Sequence, residues 1–170
     1  MLSNQKEKFK LPETVTYLNG AYMSPLLKSV EKIGHQAVSQ KCLPFEITAD
    51  DFFIGSENLK KAFAQFIEVN DYQNTAIIPS VSYGVATIAN NIKLKRGDEI
   101  IVIEGQFPSN VYAWHKLAEK NKAKVIVVGP PHAFLRRGEI WNQKILDTIT
   151  KKTALVAISP THWADGTIFD

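Results

Sequence analysis

From Asp71 onward the chain alternates short apolar, β-branched runs with amphipathic stretches, and no other feature restricts the fold so much. Strands are expected at residues 76–78, 99–104, 124–128 and 154–159, and helices at about 83–92, 109–121 and 141–151. Strands that are apolar along their whole length suit a parallel sheet covered on both faces. The strand–helix alternation therefore predicts an α/β layer with right-handed crossovers. Ligands of such sheets bind beyond the C-terminal ends of the strands. Ser80 to Ser82, Gln106 to Asn110 and Thr161 to Asp165 fall at that edge.

The residues before Asp71 read differently. Residues 1–14 are a polar lead expected to fray. Thr16-Tyr17-Leu18 is a short extended piece closed by the turn signal Asn19-Gly20. Ser24-Pro25 predicts a helix start, with Leu26, Leu27, Val30, Ile33, Ala37 and Val38 keeping helical spacing to about Lys41. Leu43-Pro44-Phe45 breaks it, and Thr48 with Asp51 reads as a capping pair for a second helix carrying Phe52, Leu59, Phe63, Phe66 and Ile67. Further on, residues 130–139 are expected as a solvated loop whose Arg136 and Arg137 suit an anionic ligand.

The turn Pro79-Ser80-Val81-Ser82-Tyr83-Gly84 joins an apolar run to a helix through small and hydroxyl-bearing residues. The first turn of a helix has free N–H groups and the positive end of the dipole, so it suits a phosphate, with Ser82 adding a hydroxyl. The same residues also read as an ordinary N-cap with no ligand. The glycine pattern of a dinucleotide site and the GK[ST] of a P-loop are absent. His35, His115, His132 and His162 show no metal-ligand spacing, and no GxSxG supports a Ser80, His162, Asp165 triad. The formal charge of +3 comes without a basic and aromatic cluster, which argues against nucleic acid. One cysteine, Cys42, allows no internal disulfide. With no signal-peptide core and no membrane-length apolar run, a cytoplasmic protein is expected.

Four stretches in order resemble the N-terminal portion of class V aminotransferase-like, pyridoxal-phosphate-dependent enzymes of fold type I. That group includes cysteine desulfurases, selenocysteine lyases, kynureninases and isopenicillin-N-epimerase-like proteins. The first stretch is Tyr17-Leu18-Asn19-Gly20-Ala21-Tyr22-Met23-Ser24-Pro25. The resemblance implies that Ala21 and Tyr22 border the substrate. The second is Val81-Ser82-Tyr83-Gly84, which implies a cradle for the cofactor phosphate, with Ser82 giving its hydroxyl and Val81 only its N–H. The third is Glu104-Gly105-Gln106-Phe107-Pro108-Ser109-Asn110, where Phe107 takes the place of a ring-stacking His. An aromatic contact of this kind contributes roughly 0.5–1.5 kcal/mol beyond area burial. Phe107 cannot move a proton, and Phe-Pro-Ser is closer to the kynureninases than to the His-type desulfurases. The fourth runs from Ser159 to Asp170, and it implies that Asp165 reaches the ring hydroxyl or the substrate.

The resemblance implies residues 1–70 as an N-terminal segment with helices and residues 71–170 as an incomplete α/β cofactor-binding large domain. It also implies an amino-acid substrate, a lyase, hydrolase or transferase reaction, and a homodimer. The family's Schiff-base Lys and the Asp that pairs with the pyridinium nitrogen have no match here, so the chain is expected to be a fragment inactive alone. The alternative is a non-catalytic α/β module that binds a phosphorylated ligand or a protein partner.

Overall fold

The computed structural model describes residues 3–133 and 135–170. Residues 1–2 of the polar lead and residue 134 of the expected loop lie outside them. The chain divides into two compact units, Met1–Ile77 and Ile78–Asp170.

The first unit carries two helices, α1 (Lys28–Gln40) and α2 (Asp51–Phe66). The polar lead is more ordered than expected: Lys6–Lys8 forms a 3-10 turn, and Phe9 makes an antiparallel bridge with Leu27. That bridge holds Leu27 extended (φ −64°, ψ 144°), so α1 starts at Lys28 instead of at Ser24-Pro25, and no side chain caps it. The Thr48 and Asp51 pair forms only in part, because the cap position of α2 is Asp50 and no side chain caps the helix. Asp51 Oδ2 accepts from Thr48 N at 2.7 Å and from Thr48 Oγ1 at 2.8 Å. Among the described residues of this unit only Ala64 is buried, and Phe52, Phe53 and Phe66 stay exposed.

The second unit holds α3 (Val81–Asn91), β1 (Glu99–Ile103), α4 (Tyr112–Asn121), β2 (Lys124–Val128), α5 (Arg137–Thr148) and β3 (Thr153–Ala157). The three strands form one parallel sheet in the order β2-β1-β3. Central β1 is buried on both faces, because alternate side chains of a strand point to opposite sides. Ile100 and Val102 join Ala89, Leu94, Trp114 and Ala118 on the face of α3 and α4. Ile101 and Ile103 join Trp141, Ile145 and Phe169 on the face of α5. The chain leaves β1 for β2 through α4, and returns across β1 to β3 through α5. Opposite directions on opposite faces give both crossovers the same hand.

Two further expectations fail. Residues 76–78 form no strand, and Ile77 and Ile78 are 52% and 45% exposed. Three apolar residues ending at Pro79 need a neighbouring strand to complete a ladder, and none pairs with them among the described residues. The solvated loop is also shorter than expected, since α5 begins at Arg137. Its first turn fits because Gly138 has no side chain; a Cβ there would stand 2.5 Å from the Ile168 carbonyl oxygen.

Candidate active site

In the β2-β1-β3 order the loop after β1 leads to the α4 face, while the segment after β3 sends Phe169 to the α5 face. Neighbouring strands whose continuations part in this way leave a crevice at their C-terminal ends, the usual ligand position in an open α/β sheet. Glu104 N still donates to Val128 O at 3.1 Å. The chain then turns at Gly105, whose φ of +70° belongs to the left-handed region that favours glycine. A Cβ there would also stand 3.4 Å from His162 Nε2. Gln106 is buried, and its Oε1 accepts from Phe107 N at 2.9 Å. The 3-10 turn Pro108–Asn110 follows; Asn110 Oδ1 accepts from Trp114 Nε1 at 2.9 Å, which ties the loop to α4, and the turn packs on α3.

The loop after β3 folds back on itself. Thr161 and Ile168 form an antiparallel bridge, Phe169 N donates to Pro160 O, and His162 N donates to Thr167 O at 2.7 Å. Trp163 Nε1 donates to Gly105 O at 2.8 Å, and the Trp163 ring meets Phe107 edge-on, centroids 5.3 Å apart at 87°. Phe107 and Trp163 remain 37% and 38% exposed, so the pair keeps surface for another ring.

Both carboxylate oxygens of Asp165 have partners, while its side chain stays 35% exposed. Its Oδ1 accepts from Thr167 N at 3.0 Å and lies 3.1 Å from His162 Nδ1, while Oδ2 lies 3.3 Å from Arg137 Nε. Arg137 Nη1 donates to Pro131 O at 2.9 Å, and the guanidinium stands 5.6 Å from the centre of the Trp141 ring. Arg137 is therefore a structural cation of this site, which corrects the reading of it as a solvated residue. Arg136 instead pairs with Glu139 at the surface. Buried His162 also places Nε2 3.3 Å from Glu104 O and tilts against Trp141.

Burial pushes the Asp165 carboxyl pKa up, but the backbone N–H and hydroxyl of Thr167, then His162 and Arg137, outweigh it and hold it below the ordinary value. A carboxyl depressed on folding stabilises the protein fully above its unfolded pKa, about 3.9, and ceases to do so as the pH falls through the lower folded value. Asp165→Asn is accordingly expected to be less stable than the wild type at pH 7. The gap should shrink in acid below pH of about 4. Urea midpoints against pH test this; a gap unchanged down the acid limb would refute it.

At the start of α3 the cap is Ser80, whose Oγ accepts from Tyr83 N at 3.1 Å and whose carbonyl accepts from Gly84 N at 3.2 Å. Ser82 is thus relieved of capping and sits in the first turn beside Val81. Their N–H groups have no intrahelical acceptor, and the turn contains no acidic residue. This end of α3, the Phe107 loop and the Asp165 loop all belong to the second unit, with α3 on the 3-10 turn and Phe107 on Trp163. Ala21 and Tyr22 lie in the first unit, both exposed. Sequence reasoning gave no role to Trp163, Gln106 or the Arg137 contact. The only signals were an extra aromatic, a polar residue after an apolar strand and a cation 28 residues before Asp165.

The family model for aminotransferase class-V matches residues 47–170. The chain belongs to the class-V aminotransferase family. Among curated relatives, a probable cysteine desulfurase of Borreliella burgdorferi is 27% identical over 163 residues, covering 94% of this chain and 35% of that protein. A probable cysteine desulfurase of Staphylococcus aureus (strain N315) is 26% identical over 108 residues, covering 62% of this chain and 25% of that protein. This class-V chain thus spans about a third or less of the relatives it matches. Among solved structures, a C-DES mutant with glycine covalently linked to its PLP cofactor has a TM-score of 0.78 at 21% identity, covering 98% of this chain and 43% of that one. The cysteine desulfurase CsdA of Escherichia coli has a TM-score of 0.73 at 18% identity, covering 96% and 42%. These likenesses establish the fold: the helices and parallel sheet of this class-V chain are those of part of the fold type I neighbours.

Proposed function

We propose that this chain is the N-terminal, cofactor-holding part of a pyridoxal-phosphate-dependent enzyme that acts on an amino acid, with sulfur amino acids as the first substrate class to try. The observation that carries the reading is the half-exposed Phe107 and Trp163 pair beside an anchored carboxylate at the C-terminal edge of one parallel sheet, with α3, whose first turn is free of acid, packed on the turn that follows Phe107. The residues fit the group. The N–H groups of Val81 and Ser82 and the Ser82 hydroxyl take the phosphate, at the positive end of the α3 dipole. Phe107, braced by Trp163, covers one ring face. Asp165, held by Thr167 and Arg137, reaches the ring hydroxyl or the substrate. Ala21 and Tyr22 are assigned to the substrate. When bound, pyridoxal phosphate supplies an electron sink for bond breaking at the amino-acid α-carbon. The three stretches of the second unit hold and orient it. A homodimer is part of the same proposal.

The names of the relatives favour cysteine, whereas Phe107 cannot shuttle a proton as a histidine would. Titration of the purified full-length protein with pyridoxal 5′-phosphate tests the reading. Saturable binding with quenching of tryptophan fluorescence is expected, and Trp163→Phe should lose most of that quenching. An absence of saturable binding would end the proposal.

A further inference from the structure

Gln106 carries the one buried side-chain nitrogen or oxygen among the described residues that has no hydrogen-bond partner, its Nε2. The residue is 8% exposed, and its Oε1 already accepts from Phe107 N at 2.9 Å. That bond fixes which way round the amide sits, because the reversed amide would set an NH2 group against an N–H. Nε2 is therefore a donor oriented by the loop itself. A buried donor left without an acceptor costs free energy, so such groups in folded proteins nearly always have a partner. The location points to its nature. Gln106 stands between Gly105, whose carbonyl holds Trp163, and Phe107, whose ring meets Trp163. Both neighbours are thus engaged with Trp163 just beyond the end of β1.

We propose that Gln106 is a ligand-binding residue of this site, donating its amide N–H to an oxygen acceptor of the bound pyridoxal ligand. This rests on the cofactor reading above. It gives the loop after β1 two tasks: Phe107 meets the flat face of the ligand, and Gln106 binds a polar atom and sets the ring's direction.

Two substitutions separate this from a purely structural role. Gln106→Glu keeps an oxygen to accept from Phe107 N but, when ionised, has no donor; Gln106→Met removes both. Dissociation constants for pyridoxal 5′-phosphate are measured on the full-length protein and both variants across pH, each expressed as a ratio to the wild type so that the ligand's own titration cancels. Both variants are expected to bind about tenfold more weakly near neutral pH, the size of one lost hydrogen bond to a ligand. The Gln106→Glu ratio should return toward one as the pH falls and the acid regains a donor. If Gln106→Glu binds like the wild type at every pH, only the contact to Phe107 N matters and the inference is overturned, whether or not Gln106→Met folds. Wild-type ratios for both variants overturn it as well. Failure of the wild type itself to bind removes the cofactor reading, and this inference with it.

Discussion

Trp141→Ala is expected to destabilise the protein by about 3–5 kcal/mol, the usual cost of truncating a large buried aromatic to alanine. Trp141 is 1% exposed and packs in one cluster with Ile101, Ile103, Val128, Ile145 and Phe169. It also does what no aliphatic residue could. Its Nε1 donates to Val128 O at 3.0 Å, at the end of β2, and its ring backs Phe169 edge-on and His162 at a tilt. Removing it opens a cavity, leaves the Val128 carbonyl without that donor and takes support from the loop that carries Asp165. Small domains are stable by only about 5–15 kcal/mol, so the loss is a large share of the total. Trp141→Phe should cost less, since it keeps most of the packing and loses the hydrogen bond. Chemical denaturation of the three proteins gives the ranking. A loss under about 1 kcal/mol for the alanine variant would mean that α5 is not packed on the sheet as described.

Ser82→Asp is expected to weaken pyridoxal 5′-phosphate binding at least thirtyfold while leaving the fold intact or slightly more stable. A carboxylate in the first turn of α3 meets the helix dipole favourably, by about 0.3–1 kcal/mol. With the phosphate held as proposed, the same carboxylate would face it. At an effective dielectric of about 20, two like charges 4 Å apart repel by about 4 kcal/mol, and half of that already corresponds to roughly a thirtyfold loss. Opposite signs for stability and binding make the result hard to imitate by unfolding. Thermal melts beside ligand titrations decide it. Unchanged binding would place the phosphate away from Ser82, and a loss of stability would mean that α3 does not begin where Ser80 caps it.

Local chemistry reproduces well the parts of this molecule that local chemistry controls. β1 and β2 were legible because uninterrupted β-branched runs have few other uses, and α4 because its apolar spacing is helical up to Asn121. Residues 76–78 look just as apolar, yet a strand exists only where a second strand lies beside it. Ser24-Pro25 is a good helix start by composition, but the bridge between Phe9 and Leu27 joins residues 18 apart and takes Leu27 for an extended conformation. No window of a few residues, the reach of turn and capping chemistry, contains both partners.

The candidate site divides in the same way. The anion-ready turn and the aromatic after β1 were visible in the sequence, since a capped helix start and a residue following an apolar strand are local features. By itself the sequence determined the element types from Glu99 onward, the parallel character of the sheet and the edge where the loops collect, because periodicity and turn chemistry act within a few residues. Only the tertiary structure decided that Ser80 and not Ser82 serves as the cap, that Trp163 braces Phe107, that Arg137 leaves solvent for Asp165, and that the Gln106 amide is buried without an acceptor. The Trp163, Arg137 and Gln106 outcomes depend on where β3 returns beside β1 and where α5 crosses the sheet, which set distances between residues far apart in the chain. The cap depends on the backbone path at Ser80, which residue types alone leave open.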